Sequence, residues 1–221
     1  MERSAEKPRI AFYGGSFDPV HLGHLAVADR LISLFDLDEF VFIPAFHAPH
    51  KRRFAPTPAL DRYAMLALAT NNSPDISVSK IEIDVPHKPY TVETLARLSE
   101  LLPDAKLFFV MGADSWRDIR TWHEWEKVLA LTDHIVVARP GYDLDADHLT
   151  EEVRSRLVDV RGAAAAINSS SDEKCIYFTD AVNIDIAASE IRKKIRESDE
   201  SWRDDVTLEV AKYVEKYQIY S

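Results

Sequence analysis

Glycine and cysteine are both scarce in this chain of 221 residues. The single cysteine, Cys175, excludes an internal disulfide framework and any zinc site built from several thiolates. The chain has only 6 glycines, where average usage is roughly 7% of residues. Three of them, Gly14, Gly15 and Gly23, lie close together near the amino terminus. Because glycine is otherwise avoided, this cluster requires a backbone explanation.

Long apolar runs and an excess of positive charge are also missing. No segment approaches the ~18 apolar residues of a transmembrane helix, and the polar start, Met1–Lys7, lacks the apolar stretch of a secretory signal. With 27 Lys and Arg against 37 Asp and Glu, the formal charge is −10, which disfavours a general nucleic-acid or anionic-membrane binder. We therefore expect a cytoplasmic protein without nucleic-acid or membrane partners, and a homo-oligomer is left open.

Strand-like and helix-like apolar patterns alternate along the chain, typical of a globular α/β protein. Strands are predicted at Arg9–Tyr13, Phe40–Ile43, Ile76–Ile83, Lys106–Met111, His134–Ala138 and Lys174–Phe178, and helices at Leu22–Phe35, Pro58–Thr70, Thr91–Leu102, Leu149–Val158, Ala188–Glu197 and Val206–Tyr217. This alternation favours a doubly wound, mainly parallel sheet with a small C-terminal helical part. Ligands bind such sheets at the carboxyl ends of the strands, so the strand exits are the places to examine.

The exit of the first strand carries the glycine cluster and a histidine pair. Glycines bring backbone N–H groups close to a ligand, and a helix N-terminus favours an anion. His21 and His24 are three residues apart and face the same side of a first helical turn. Two alternatives stay open: the glycines serve loop geometry alone, or both histidines join His47 and His50 in a zinc site.

The complete string from Gly14 to His24 resembles the G-G-x-F-x-P-x-H-x-G-H signature of the nucleotidylyltransferase superfamily. The resemblance implies a Rossmann-like sheet in which His21 and His24 act on the phosphates of ATP during adenylyl transfer. It also implies that the preceding loop residues bind ATP, namely Gly14, Gly15, Ser16 and Phe17. Neither a Walker P-loop nor the G-x-G-x-x-G dinucleotide fingerprint occurs in the chain.

The segment after the second strand, Pro44–Arg53, is locally basic in an acidic protein. It resembles the P-A-x-x-P-P-H-K loop of nicotinate mononucleotide adenylyltransferases, with Ala48 in place of one proline. The resemblance implies a catalytic role for Lys51 and an ATP contact for His50. On composition alone, a solvated surface loop is the alternative.

The segments around Gly112 and Trp122 resemble the same adenylyltransferases in their G-x-D-S and T-W motifs. The resemblance implies that Gly112 and Asp114 bind ATP and that Trp122 stacks on the pyridine ring of the mononucleotide. The other residues implied for the mononucleotide are Thr91, His123 and Arg139. Alternatives remain for three residues: Asp114 or Thr91 is only a helix cap, or Trp122 is a core aromatic.

The predicted helix near residue 188 begins with a motif similar to the family's I-S-[SA]-[ST]-x-I-R. The similarity implies that Ser189 and Ile191 bind ATP and that Arg192 is a catalytic cation. Ala187 replaces the first serine of the motif, which removes one hydroxyl donor. A basic amphipathic surface helix is the alternative.

The resemblance as a whole implies that the 5′-phosphate of nicotinate mononucleotide attacks ATP, giving nicotinate adenine dinucleotide and pyrophosphate in NAD biosynthesis. Magnesium is expected to bind with the ATP phosphates and not in a dedicated protein site. Residues 1–185 are expected to form the Rossmann-like nucleotidyltransferase domain, and residues 186–221 a helical segment that completes the ATP site. Nicotinamide mononucleotide or phosphopantetheine as acceptor, or a non-catalytic nucleotide sensor, are the alternatives.

Overall fold

The computed structural model describes residues 7–46, 57–139, 144–163, 165–167, 173–182 and 184–220. Its strands are β1 (Arg9–Gly15), β2 (Glu39–Pro44), β3 (Ile76–Val78), β4 (Lys106–Gly112), β5 (Asp133–Val137), β6 (Leu157–Asp159) and β7 (Ile176–Thr179). Its α-helices are α1 (Leu22–Leu34), α2 (Ala59–Thr70), α3 (Thr91–Leu101), α4 (Ala113–Arg117), α5 (Trp125–Leu131), α6 (Glu151–Arg154), α7 (Ala188–Arg196) and α8 (Leu208–Tyr217). Short 3-10 helices span Ile119–Thr121 and Glu200–Asp205.

The strands form one sheet in the order β3-β2-β1-β4-β5-β7-β6, and every pairing is parallel. The strand order reverses between β1 and β4, where a doubly wound sheet opens a crevice at its carboxyl edge. Gly14 and Gly15 end β1 and Gly112 ends β4, so the glycines border this crevice. The predicted fold class, a Rossmann-like parallel α/β sheet, is confirmed.

Apolar residues cover both faces of the sheet, as parallel strands require. Side chains alternate between the two faces along β1 and β4: Ala11 and Phe108 belong to one buried cluster, Phe12 and Phe109 to the other. The first cluster also includes residues of the C-terminal helices, among them Val210. These helices therefore share a core with the sheet, and the boundary at residue 185 stays a prediction. No helix in the described part of the chain is long and apolar enough to cross a membrane.

Two predicted elements were wrong in extent. The strand predicted over Ile76–Ile83 ends at Val78, because turn hydrogen bonds take over from Lys80 onward, including Ile83 N to Lys80 O at 2.8 Å. The helix predicted over Leu149–Val158 stops at Arg154, and Leu157–Asp159 pairs with β7 as a strand. In the first case a local turn ends the strand, and in the second pairing with the distant strand β7 overrides the local apolar spacing.

Candidate active site

A cavity of about 590 Å³ opens at the carboxyl ends of β1, β4 and β5. Its wall brings together most of the predicted site residues: Gly14, Gly15, Ser16, Phe17, His21, His24, Thr91, Gly112, Asp114, Trp122, His123, Arg139 and Ser189. They come from separate strand exits and helix starts along the chain, and the parallel topology places these ends side by side. A cavity of this size is in the range of small-molecule sites.

Two predicted residues in the described part of the chain, Ile191 and Arg192, are not on this wall. His50 and Lys51, like His47 of the zinc alternative, lie outside the described residues. The Ile191 side chain is fully buried in the core, because it lies on the inner face of amphipathic α7, and its contact with ATP stays a prediction. The Arg192 guanidinium donates from Nη1 to the carbonyl of Asp18 at 2.5 Å.

His21 and His24 form a stacked pair at the start of α1. His21 is the N-cap in an extended conformation, and its ring lies 3.7 Å from the ring of His24, with 27° between their planes. The backbone N–H of His21 donates to Nδ1 of His24 at 3.3 Å. Because Nδ1 of His24 accepts this bond, its neutral ring carries the proton on Nε2, where it is a hydrogen-bond donor.

His21 is uncharged at neutral pH. Burial, together with the nearby positive charge of Arg139, lowers the pKa of His21 to about 4. Its Nδ1 is buried without a hydrogen-bond partner among the described residues. A buried imidazole with an unsatisfied nitrogen at a cavity wall is suited to a ligand that completes the bond.

Two glycines of the cluster make room for protein rings. A Cβ on Gly15 would lie 2.8 Å from the Phe17 ring, and a Cβ on Gly23 would lie 3.1 Å from the His21 ring. Glycine at these two positions therefore permits the close approach of protein side chains to the backbone. The Phe17 ring approaches Gly15 and the His21 ring approaches Gly23, so both rings are part of the loop surface that a ligand meets.

Three longer helices begin at the cavity: α1 after His21, α3 at Thr91 and α7 at Ala188. The first backbone N–H groups of each helix lack intrahelical partners, and the helix dipole adds positive potential there. This convergence supplies an anion-binding surface in a chain of charge −10. The N-termini of α1 and α7 lie on the predicted ATP side, and the N-terminus of α3 lies on the predicted mononucleotide side.

Acidic groups line the wall beside the strand exits. The Asp114 carboxylate folds back over Gly112, where its Oδ1 would be 2.8 Å from an added Cβ. Gly112 is the N-cap of α4, so the alternative that Asp114 is that cap is wrong. Burial, with a contribution from Asp114, raises the pKa of Tyr13 to about 12, so the phenol stays protonated.

Aromatic rings form the predicted mononucleotide side. Trp122 lines the cavity and also packs edge-on against Phe109, at 6.3 Å between ring centroids, so its ring belongs partly to the core, and its stacking on the pyridine ring stays a prediction. His123 lies beside the half-exposed ring of Tyr90, at 4.3 Å with 33° between planes. Tyr90 is the N-cap of α3, so the alternative that Thr91 is that cap is wrong.

Sequence reasoning missed three charged residues, two that line the cavity and one that contacts its lining. Lys88 and Glu82 line the cavity, and burial raises the pKa of Glu82, whose Oε1 accepts from Thr94 Oγ1 at 2.9 Å. Arg62 is only 1% exposed inside α2. A charged residue within the apolar pattern of Pro58–Thr70 is the signal that could have identified it.

Among the described residues, no three His, Cys, Asp or Glu side chains come together in a way that could hold a metal ion. His21 and His24 face each other as stacked rings, and one nitrogen of His24 is already engaged by the backbone. Within the described residues, the histidine pair is therefore arranged for hydrogen bonding to a ligand.

The parallel fold and the anion-binding cavity at its switch point define a Rossmann-like nucleotidylyltransferase. In agreement, residues 12–194 match the model of the cytidylyltransferase-like family. Within that class, bacterial relatives that are 39% and 42% identical over most of the chain show that it belongs to the nicotinate-nucleotide adenylyltransferase family, and it is an enzyme.

Two bacterial relatives carry the name "Probable nicotinate-nucleotide adenylyltransferase". The protein from Corynebacterium glutamicum is 39% identical over 178 residues, which cover 78% of this chain and 82% of that protein. The protein from Mycobacterium sp. strain KMS is 42% identical over 165 residues, which cover 73% of this chain and 81% of that protein. A solved structure, nicotinic acid mononucleotide adenylyltransferase from Plasmodium falciparum complexed with NaAD, has a TM-score of 0.73 at 23% identity and covers 96% of this chain and 97% of that one. This last match supports the fold.

Proposed function

We propose that this protein transfers the adenylyl group of ATP to the 5′-phosphate of nicotinate mononucleotide, releasing pyrophosphate. The observation that carries the proposal is the stacked histidine pair in a cavity where the N-termini of α1, α3 and α7 meet. Two anionic substrates must approach each other in this reaction, and these termini offer separate sites for negative charge. The names of the relatives agree with these substrates.

The ATP phosphates are placed along the β1–α1 loop. In this arrangement Nε2 of His24 donates to the phosphates, and the N–H groups of Ala188 and Ser189 at the start of α7 bind the outer ones. Arg192 uses one N–H on Asp18 and does not line the cavity, so its contact with the outer phosphates stays a prediction. The contributions of Lys51 and His50 are likewise predictions.

The reaction requires no protein nucleophile. An oxygen of the mononucleotide phosphate attacks the α-phosphorus of ATP in line, the bond between that phosphorus and the bridging oxygen breaks, and pyrophosphate leaves with the electron pair. The protein orients the two substrates and stabilises the negative charge that develops. His24 and the α1 N-terminus are placed for that role.

The mononucleotide is placed between β4, β5 and α3. Its electron-poor ring packs on Trp122, and its carboxylate faces the N–H groups at the start of α3, close to Lys88. His123 and Arg139 complete this side. A carboxylate suits a helix N-terminus and a lysine better than a neutral amide does, so we propose the acid as the preferred acceptor.

Magnesium is proposed to enter with ATP. The cavity carboxylates, Glu82, Asp114 and Asp118, are hard oxygen donors that do not converge as a cage among the described residues. This donor set fits an ion that keeps most of its ligands from phosphate and water and neutralises phosphate charge when bound. A cytoplasmic location and a homo-oligomeric state also remain proposals.

A pyrophosphate-release assay with ATP, Mg²⁺ and each acceptor tests the function. We expect rapid release with nicotinate mononucleotide, a kcat/KM at least tenfold lower with nicotinamide mononucleotide, and none with phosphopantetheine. A higher kcat/KM for the amide would overturn the acceptor assignment. Release with none of the three, while ATP still binds, would identify the protein as a nucleotide sensor.

A further inference from the structure

Arg62 is a buried arginine whose hydrogen bonds, among the described residues, all go to backbone carbonyls. Its Nε donates to Thr57 O at 2.9 Å and its Nη1 to Ser16 O at 2.7 Å. Its Nη2 donates to Ala45 O at 2.6 Å and to Phe46 O at 3.3 Å. One guanidinium therefore joins the loop after β1, the exit of β2 and the segment before α2.

These acceptors lie outside the regular hydrogen bonding of the sheet. β1 ends at Gly15 and β2 ends at Pro44, so Ser16, Ala45 and Phe46 are the first residues beyond their strands. Asp18 and Glu82 offset the Arg62 charge from a distance. A planar fork of five N–H donors can hold several carbonyls at fixed angles, which lysine cannot reproduce.

The bond to Ser16 O fixes the peptide plane that Ser16 shares with Phe17. Phe17 has a φ of +46°, a left-handed conformation that a bulky residue adopts only when its surroundings hold it there. The Phe17 ring is buried and meets the ring of His24 edge-on, at 5.0 Å between centroids. A continuous chain of contacts thus runs from Arg62 through Ser16 and Phe17 to His24.

We propose that Arg62 is a positioning residue for adenylyl transfer, which holds the Ser16–Phe17 peptide and thereby sets the orientation of the His24 ring. This rests on the proposed function, because His24 is the group assigned to the phosphates there. Without the Arg62 fork, Phe17 relaxes from its left-handed conformation and His24 loses the ring that packs against it. The transition state then loses a donor although His24 is still present.

Arg62→Lys and Arg62→Met test this role, with Arg9→Met as the matched control. Arg9 also donates to two carbonyls, Phe35 O at 2.8 Å and Ile167 O at 3.1 Å, but it begins β1 at the end away from the cavity. We expect kcat to fall at least tenfold in both Arg62 variants, with a smaller change in KM for the mononucleotide. Arg9→Met should lose thermal stability and keep kcat within twofold of the wild type.

A double-mutant cycle with His24→Ala separates positioning from general stability. If Arg62 acts through His24, the effect of His24→Ala on kcat is smaller in the Arg62→Lys background than in the wild type. Equal effects in both backgrounds, or a kcat of Arg62→Lys within twofold of the wild type, would overturn the proposal. Arg62→Lys carries the test if Arg62→Met does not fold. A wild-type enzyme without pyrophosphate release would refute the proposed function instead, and ATP affinity by calorimetry would then read out the same variants.

Discussion

At the scale of single residues, three of the contacts that position His24 have different origins. Its Nδ1 accepts from the backbone of His21, one face of its ring stacks on His21, and Phe17 meets its edge. The first two contacts follow from a spacing of three residues at a helix start, which the sequence displays. The third depends on a left-handed Phe17, which no spacing rule predicts.

Replacing His24 by alanine should lower kcat by roughly 100-fold, as removal of a preorganised donor to transition-state charge does in other enzymes. The fold should persist, because His24 is a partly buried residue at the cavity wall. Pyrophosphate release under saturating substrates and thermal unfolding measure the two effects. His87→Ala, at an exposed position off the cavity wall, is the control. Near-normal turnover of His24→Ala would contradict the role assigned to this residue.

At the scale of elements, the site is built from helix N-termini set beside strand exits. Each terminus is capped differently: α1 by His21, α3 by Tyr90 with Glu93 Oε2 accepting from the Tyr90 N–H at 2.7 Å, and α7 by Ala187 without any side-chain bond. Ala187 occupies the position where the family motif has serine, so no side chain caps the start of α7. Its backbone is already extended, with φ of −121° and ψ of 128°, as an N-cap requires.

Ala187→Ser should therefore stabilise the protein by about 1 kcal/mol, because the hydroxyl can accept from the N–H of Glu190. KM for ATP should also fall, since the hydroxyl restores a donor at the phosphate end of the cavity. Urea unfolding and steady-state kinetics measure these changes. Ala188→Ser, one residue into the helix, should show no comparable gain in stability. An unchanged free energy of unfolding in Ala187→Ser would refute the capping prediction.

At the scale of the whole molecule, burial keeps two histidines uncharged at opposite ends of the sheet. His21 borders the cavity, whereas His134 lies near the start of β5, fully buried, with Nδ1 3.1 Å from Thr132 O. Burial is the main cause that lowers the pKa of His134 to about 3, with Arg156 adding to the effect. Both histidines stay neutral in the folded state under conditions where an unfolded histidine, with a pKa near 6.5, binds a proton.

Acid should therefore destabilise the protein from about pH 6.5 down to about pH 4. In that window the unfolded state binds more protons, so each buried histidine lowers the free energy of unfolding by up to about 1.4 kcal/mol per pH unit. Urea unfolding at several pH values should show a shallower slope for His134→Leu than for the wild type, by about one proton. Parallel slopes for wild type and His134→Leu would contradict a neutral buried His134.

The sequence predicted the long elements and the short strand β7, but it misjudged the end of β3 and missed β6. Strands β1, β2 and β4 are continuous apolar runs because both faces of a parallel sheet are covered, and that pattern is visible without partners. β3 and β6 have three residues each, and their ends depend on pairing with β2 and β7. Arg62 was missed for the same reason, since its acceptors lie 5 to 46 positions away along the chain.

The sequence by itself determined the family, the parallel sheet and the identity of most cavity residues. Turn chemistry, apolar periodicity and motif spacing are local properties that survive without a folded chain. Only the tertiary structure decided three features: the lowered pKa of His21, the left-handed backbone of Phe17 beside His24, and the hydrogen bonds by which Arg62 holds the loop after β1. Each of these depends on burial or on contacts between distant segments, because desolvation and packing exist only once the sheet and helices have come together.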